Sequence, residues 1–304
     1  MVGVGVFTSL GFQLDGTPSG FAVLLLWTIG GAYALCGALA YAELATALPR
    51  SGGEYHLIGS VYHPAAGFLA GWVSVTVGFA APVAAAASLF GIYLNGSLGL
   101  GGNELVPAIA VLAAVTAAHL WKVSFGGGFQ IVVTSLKFLL VVGLAVAGFA
   151  NAGKGDLSLM PVEGDYSLVW GAPFAISLFF VNYSYAGWIA ATYVAGEIRD
   201  PARGVPRALV LGTLLVMVLY LTVNAAFIVS TPAEVMAGKP EVGLAVAKHL
   251  FGDSGGSVVG ALIAFGLISL ISAMTWAGPR VGQMMGQDYR ALGWLARENR
   301  HGVP

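Results

Sequence analysis

Residues 20–46 read GFAVLLLWTIGGAYALCGALAYAELAT, an apolar run of helical length whose one charged residue is Glu43. About 20 mostly apolar residues are enough to cross a bilayer as a helix, so this stretch predicts a membrane span. Working outward, the same reading predicts spans at 64–95, 104–122, 127–150, 167–195, 206–230 and 254–284, with a shorter apolar stub at 2–13. The whole chain agrees: 58% of residues are hydrophobic, 9% are charged and the mean hydropathy is +0.85. A soluble domain carries roughly 25% charged residues, so most of this surface is not built to meet water. The 44 glycines fit helices that pack closely in lipid, where small residues let backbones approach. The expected fold class is an all-α polytopic membrane protein.

Several functions are disfavoured by the same numbers. A net charge of −1 offers no field for nucleic acid. The opening residues lack the basic region of a signal peptide. A single cysteine, Cys36, excludes an internal disulfide and reads as a small packing residue, and the five histidines have no zinc-ligand spacing. No metal is therefore expected. An enzyme would need acids, histidines or a nucleophile within the spans, which offer chiefly Lys137, His119 near an end and scattered hydroxyls.

Basic residues orient the chain. Arg50, Lys122, Arg199, Arg203, Arg207, Arg280, Arg290, Arg297 and Arg300 fall on one set of connections, and only Lys154, Lys239 and Lys248 on the other. Cytoplasmic loops are enriched in Lys and Arg, so the first set, and the chain after 284, are expected in the cytoplasm. Trp27, Trp72 and Trp170 read equally as interface anchors or as core.

Two segments read as interrupted helices. In the stub, Val2-Gly3-Val4-Gly5-Val6-Phe7 sets two glycines around a β-branched residue. Glycine weakens a helix, and backbone N–H groups at a half-helix start attract a carboxylate. A Gly-rich packing face is the other reading. The second segment, Asn182-Tyr183-Ser184-Tyr185-Ala186-Gly187-Trp188, lies mid-span. Unwound carbonyls there would receive an ammonium group; an interhelical polar cluster is the alternative. Paired interruptions in two halves of a chain point to a transporter's binding site.

Four stretches resemble the amino acid–polyamine–organocation superfamily, and within it the L-type amino acid permeases. They are Gly3-Val4-Gly5-Val6-Phe7; Tyr41-Ala42-Glu43-Leu44 through Leu48-Pro49-Arg50-Ser51-Gly52-Gly53-Glu54-Tyr55; Tyr185-Ala186-Gly187-Trp188 with Glu197-Ile198-Arg199-Asp200-Pro201 and Pro206-Arg207; and Ala277-Gly278-Pro279-Arg280. The resemblance implies a LeuT-type fold of five helices plus five inverted ones. Residues 1–304 would form one permease domain, with a first repeat at 1–150, a partial second repeat at 167–284 and a cytoplasmic tail at 285–304. It implies secondary transport of an amino acid by alternating access, as exchanger or ion-coupled symporter, in the plasma membrane and without a prosthetic group. By the motif match, Gly3, Val4, Gly5 and Val6 would meet the substrate carboxylate. Tyr183, Ser184, Tyr185 and Gly187 would stand near its amine and side chain.

Lys137 lies within the 127–150 span, seven residues after Gln130. An ionisable residue at that depth is a functional candidate; a lysine snorkelling to the interface is the plain alternative. The resemblance implies that Lys137 replaces a sodium ion between the first and eighth helices, with Ser269 or Ser272 as a hydroxyl partner. Glu43, Arg50, Glu54, Arg199, Asp200 and Arg203 are expected to be structural charges at the cytoplasmic ends. Pro201 and Pro206 are expected where one helix ends and the next starts.

Two departures from the family pattern are that Met1 stands two residues before Gly3 and that the chain stops at Pro304, after the eighth span. The expectation is an incomplete transporter. Its partners would be an amino acid, the lipid bilayer and, if the gene is split, a second fragment of the same transporter. The absence of an acid or base beside the sixth-span break points to a neutral substrate. The competing class is an ion channel or a non-transporting scaffold, although no pore-lining charge ring is visible.

Overall fold

The computed structural model describes residues 3, 5–48, 50–99, 101–121, 125–193, 198 and 200–298. Val4, Pro49, Lys122, Glu197, Arg199 and Arg300 lie outside them. The described residues are helical with short connections. A 3₁₀ turn at Gly5–Phe7 leads into α1 (Ser9–Gly16), followed by α2 (Gly20–Ala47) and an eight-residue α3 (Glu54–Val61). α4 (Pro64–Val73), a π-helical segment at Ser74–Phe79 and α5 (Ala80–Leu98) form one long span. Then come α6 (Leu105–Trp121), α7 (Phe125–Ala150), α8 (Asp165–Val169), α9 (Ala172–Tyr185), a 3₁₀ turn at Ala186–Ile189 and α10 (Ala190–Tyr193). α11 (Pro201–Ser230), α12 (Ala233–Met236) and α13 (Val242–Asp288) complete the bundle.

Among the described residues, six helical segments are long and apolar enough to cross a membrane, and Leu105–Leu120 is a shorter apolar helix. At 1.5 Å per residue, the 17 residues of α6 span about 26 Å, close to the hydrocarbon thickness of about 30 Å. The apolar side chains turned outward fit the same setting: Phe179 is 75% exposed, Ile131 71% and Leu139 63%. The chain is a multi-pass integral membrane protein.

Packing follows a regular offset. α1 lies against α9, α2 along α11 and α5 along α13. Counting spans, the first meets the sixth, the second the seventh and the third the eighth. The core between them is dense and aromatic, with Trp27, Tyr93, Tyr220, Phe7 and Phe227 fully buried. Trp27 is thereby core, its indole N–H donating to Gln13 Oε1 at 2.9 Å, while Trp170 is exposed.

Some expected boundaries hold and others move. The last span keeps its expected start near 254: a separate helix over 242–251 precedes it within α13, and the two meet at Gly252 (φ 71°, ψ 179°), where the chain turns sharply enough to set Gly256 against Lys248, a conformation that glycine supplies without a side-chain clash. Pro201 opens α11 as expected, but Pro206 lies inside that helix, in its second turn. There its missing N–H costs one hydrogen bond near a helix end rather than ending the helix. The expected tail from 285 is in part structured: α13 runs on to Asp288, and Arg290–Ala296 folds back on it over Gly286, where a side chain would meet the returning backbone. Cys36 is exposed and is not a packing residue.

Candidate substrate site at the first and sixth spans

The stub is held deep in the bundle by tyrosine hydroxyls. Gly3 N donates to Tyr220 Oη at 3.0 Å, and that hydroxyl in turn donates to the Ser184 carbonyl at 3.5 Å. Tyr93 Oη donates to the Phe7 carbonyl at 3.0 Å and accepts from Gly243 N at 3.1 Å. Ser184 Oγ donates to the Phe180 carbonyl at 2.7 Å and lies 2.9 Å from Ser9 Oγ. Gly5 presses so closely on Ser184 that a Cβ there would overlap the serine side chain. A backbone N–H without a partner costs about 1–3 kcal/mol when fully buried, and Gly3 is half-buried at the cavity wall. Tyr220→Phe, which deprives Gly3 of its acceptor, is therefore expected to lower stability by about 1 kcal/mol, the low end of that range, as read from thermal unfolding in detergent.

The sixth span is interrupted, but later than expected. Asn182 to Tyr185 are still α-helical, and the departure is the tighter turn at Ala186–Ile189. Its hydrogen bonds join residues three apart, Ala186 N to the Tyr183 carbonyl and Ala190 N to the Gly187 carbonyl, so the backbone narrows rather than opens. Tyr185 is anchored in the core: its hydroxyl donates to the Trp27 carbonyl at 3.2 Å, and its ring packs with Trp27 and Tyr220.

Two cavities flank this turn, and Ser184, Gly187 and Ala190 line both. The smaller, about 220 Å³, brings together Gly3, Gly5, Tyr183, Ser184 and Gly187, five of the eight residues expected to bind substrate. Its remaining wall includes the π-helical segment, Leu270 and Met274 of α13, Tyr193 of α10 and Glu54. The larger, about 570 Å³, lies between α7, α11 and α13 and takes in Tyr185 and Ser272. Val6 lines neither; its side chain is in the core. The smaller cavity is the candidate site, because only there do the two interrupted spans face the same space. It is a size suited to one amino acid and is largely apolar, with few polar groups, as small-molecule sites are.

Lys137 is buried, at 6% exposure, and its alkyl stem runs along Gly266 of α13. Residues 266 and 269 share a helix face, and the Ser269 hydroxyl is buried with no hydrogen-bond partner among the described residues. Ser272, the other expected partner of Lys137, instead sits with its Oγ 2.9 Å from His119 Nε2.

The end bearing the basic residues is closed by a second cluster. Arg50 donates to Asp288 at 2.8 Å, and Tyr55 donates to the other carboxylate oxygen at 2.7 Å. The hydrogen bond to Asp288 raises the Arg50 pKa above its ordinary value. Burial raises that of Tyr55, and burial followed by the Arg50 charge lowers that of His56. Glu54 is different. Its carboxylate accepts from Tyr41, Ser74 and Tyr193, each at 3.4 Å, and it has no basic partner among the described residues. Tyr93, Tyr220 and Glu54 are the site residues that the sequence reading left out. For Glu54 a signal existed: it follows Gly52-Gly53, both at positive φ (114° and 53°), and only a residue without a side chain lets the chain at 53 lie on the Tyr193 ring.

Comparison with known proteins places this geometry. Over 94% of its length the chain is 29% identical to the serine/threonine exchanger SteT of Bacillus subtilis (strain 168), and it covers 65% of that protein. It is 30% identical, over 96% of its length, to the b(0,+)-type amino acid transporter 1 of Mus musculus, covering 61% of it. To the human cystine/glutamate transporter it is 27% identical, with 83% of this chain and 52% of that protein aligned. The chain thus spans less than two thirds of the length of these curated relatives. The family model described as amino acid permease matches residues 1–304, and the chain belongs to that family.

Proposed function

We propose that this chain carries the substrate-binding core of a secondary transporter, which moves an amino acid across the plasma membrane by alternating access. The observation that supports this best is the shared cavity: the Gly3 and Gly5 backbone and the Ser184–Gly187 turn face one space of about 220 Å³. In this reading the Gly3–Val6 backbone receives the α-carboxylate, and the turn after Tyr185 receives the α-amine. The first-to-sixth, second-to-seventh and third-to-eighth packing supports two repeats, at 1–150 and 167–284. Exchange is the favoured mode, because one of the similar proteins named above, SteT, is an exchanger by name. A neutral amino acid is the first substrate to try.

Lys137 acts in this scheme as a fixed cation between the repeats, with Ser269 as its hydroxyl neighbour. The test is uptake of labelled amino acids by the completed chain into proteoliposomes preloaded with unlabelled ones. Uptake above that of protein-free liposomes, dependent on internal amino acid, is the expected result. No uptake of any of the common amino acids, with or without internal substrate, sinks the reading.

A further inference from the structure

The two carboxylates at the basic end of the bundle differ in what neutralises them. Asp288 has Arg50 and Tyr55. Glu54 has three hydroxyls from three other elements, Tyr41 of α2, Ser74 of the π-helical segment and Tyr193 of α10, and no basic side chain within ion-pair distance among the described residues. Arg50, four residues upstream, is already committed to Asp288. Glu54 also lines the smaller cavity, and is the one Asp, Glu, Lys or Arg among the described residues that do so. The rest of that wall is glycine, apolar side chains and neutral hydroxyls.

We infer that Glu54 is a specificity-determining residue, the counter-charge for a positively charged side chain of the carried amino acid. The site would then take guanidinium- or ammonium-bearing amino acids as well as neutral ones. A carboxylate facing a largely apolar cavity attracts a cation more strongly than it would in water. Tyr41 takes one lone pair of Oε1, while Ser74 and Tyr193 take both of Oε2, so Oε1 keeps one acceptor position for an N–H of a guanidinium or ammonium group, a charge-assisted hydrogen bond. An amino acid whose carboxylate sits at Gly3–Gly5 would reach Glu54 with an extended basic side chain, since both ends border the same space. This inference rests on the amino acid site proposed above and revises the substrate range expected there.

The test compares arginine with citrulline, which has nearly the same shape and no side-chain charge. Equilibrium binding of each labelled compound to the purified protein is measured, so the result does not depend on transport. The wild type is expected to favour arginine by about tenfold. Glu54→Gln, which keeps the shape and removes the charge, with one of the tyrosine hydroxyls turning to accept from the amide N–H, is expected to bring that ratio near one; Glu54→Asp keeps part of it. A wild type that does not prefer arginine, or binds neither compound, overturns the inference. So does a Glu54→Gln variant whose two affinities fall together with the ratio intact, the mark of a purely structural residue. If arginine and citrulline bind as expected but neither enters proteoliposomes, the transport reading fails and the binding inference stands.

Discussion

Gly5→Val is expected to abolish amino acid uptake while leaving the protein in the membrane. A Cβ at residue 5 would fall within 2.7 Å of the Ser184 Cα, in addition to overlapping the serine side chain. The obstacle is backbone, so no change of rotamer relieves it. Overpacking usually costs about 1–3 kcal/mol, and here the relief requires α9 to back away from the stub. That movement would separate Gly3, Tyr220 and Ser184, whose hydrogen bonds define one wall of the cavity. Gly143→Val is the control, since residue 143 is exposed on α7 and nothing stands near its side-chain position. Uptake by Gly5→Val at the wild-type rate would show that the close approach of the first and sixth spans is incidental.

The second large effect is expected at Lys137. Lys137→Met keeps much of the volume and removes the charge, so packing against Gly266 survives. If the ammonium is a fixed cation between the repeats, uptake falls by about tenfold or more, a barrier change of about 1.4 kcal/mol per factor of ten. The burial of the residue already distinguishes it from a lysine whose head reaches the interface. Thermal unfolding measured beside uptake separates a functional loss from a folding one. Unchanged uptake in Lys137→Met would remove the residue from the mechanism.

The spans were readable in the sequence because the bilayer imposes a single demand, a long apolar helix, and residues 20–46 meet it almost without interruption. The glycine pattern of the stub was equally readable: at Gly5 the closeness to Ser184 is a property that no larger residue could share, whereas Gly3 has room for a Cβ. Less was legible where a single side chain does the holding. Tyr93 and Tyr220 sit in apolar runs where tyrosine serves as well for packing as for a hydrogen bond, and nothing local says that their hydroxyls clamp residues 3 and 7. Glu54 was legible only as a structural charge at the cytoplasmic end. Its neighbours in space, from α2, the π-helical segment and α10, come from far along the sequence. The turn at Ala186–Ile189 was placed a few residues early, since the polar cluster that marks it precedes the tightening and is itself helical.

The π-helical segment at Ser74–Phe79 adds a constraint of another kind. In an α-helix, positions five apart point about 140° away from each other, so Ser74 and Phe79 could not both face the cavity. Both do line it, and both are buried, because the wider turn bonds at a spacing of five and brings them to one side. The wall is thus set by the number of residues in the segment as well as by their identity. Substitutions along 74–79 alter single contacts, whereas the loss of one residue would rotate the whole of α5 beyond it, carrying Tyr93 away from Phe7. For this span, insertion and deletion are the harsher forms of variation.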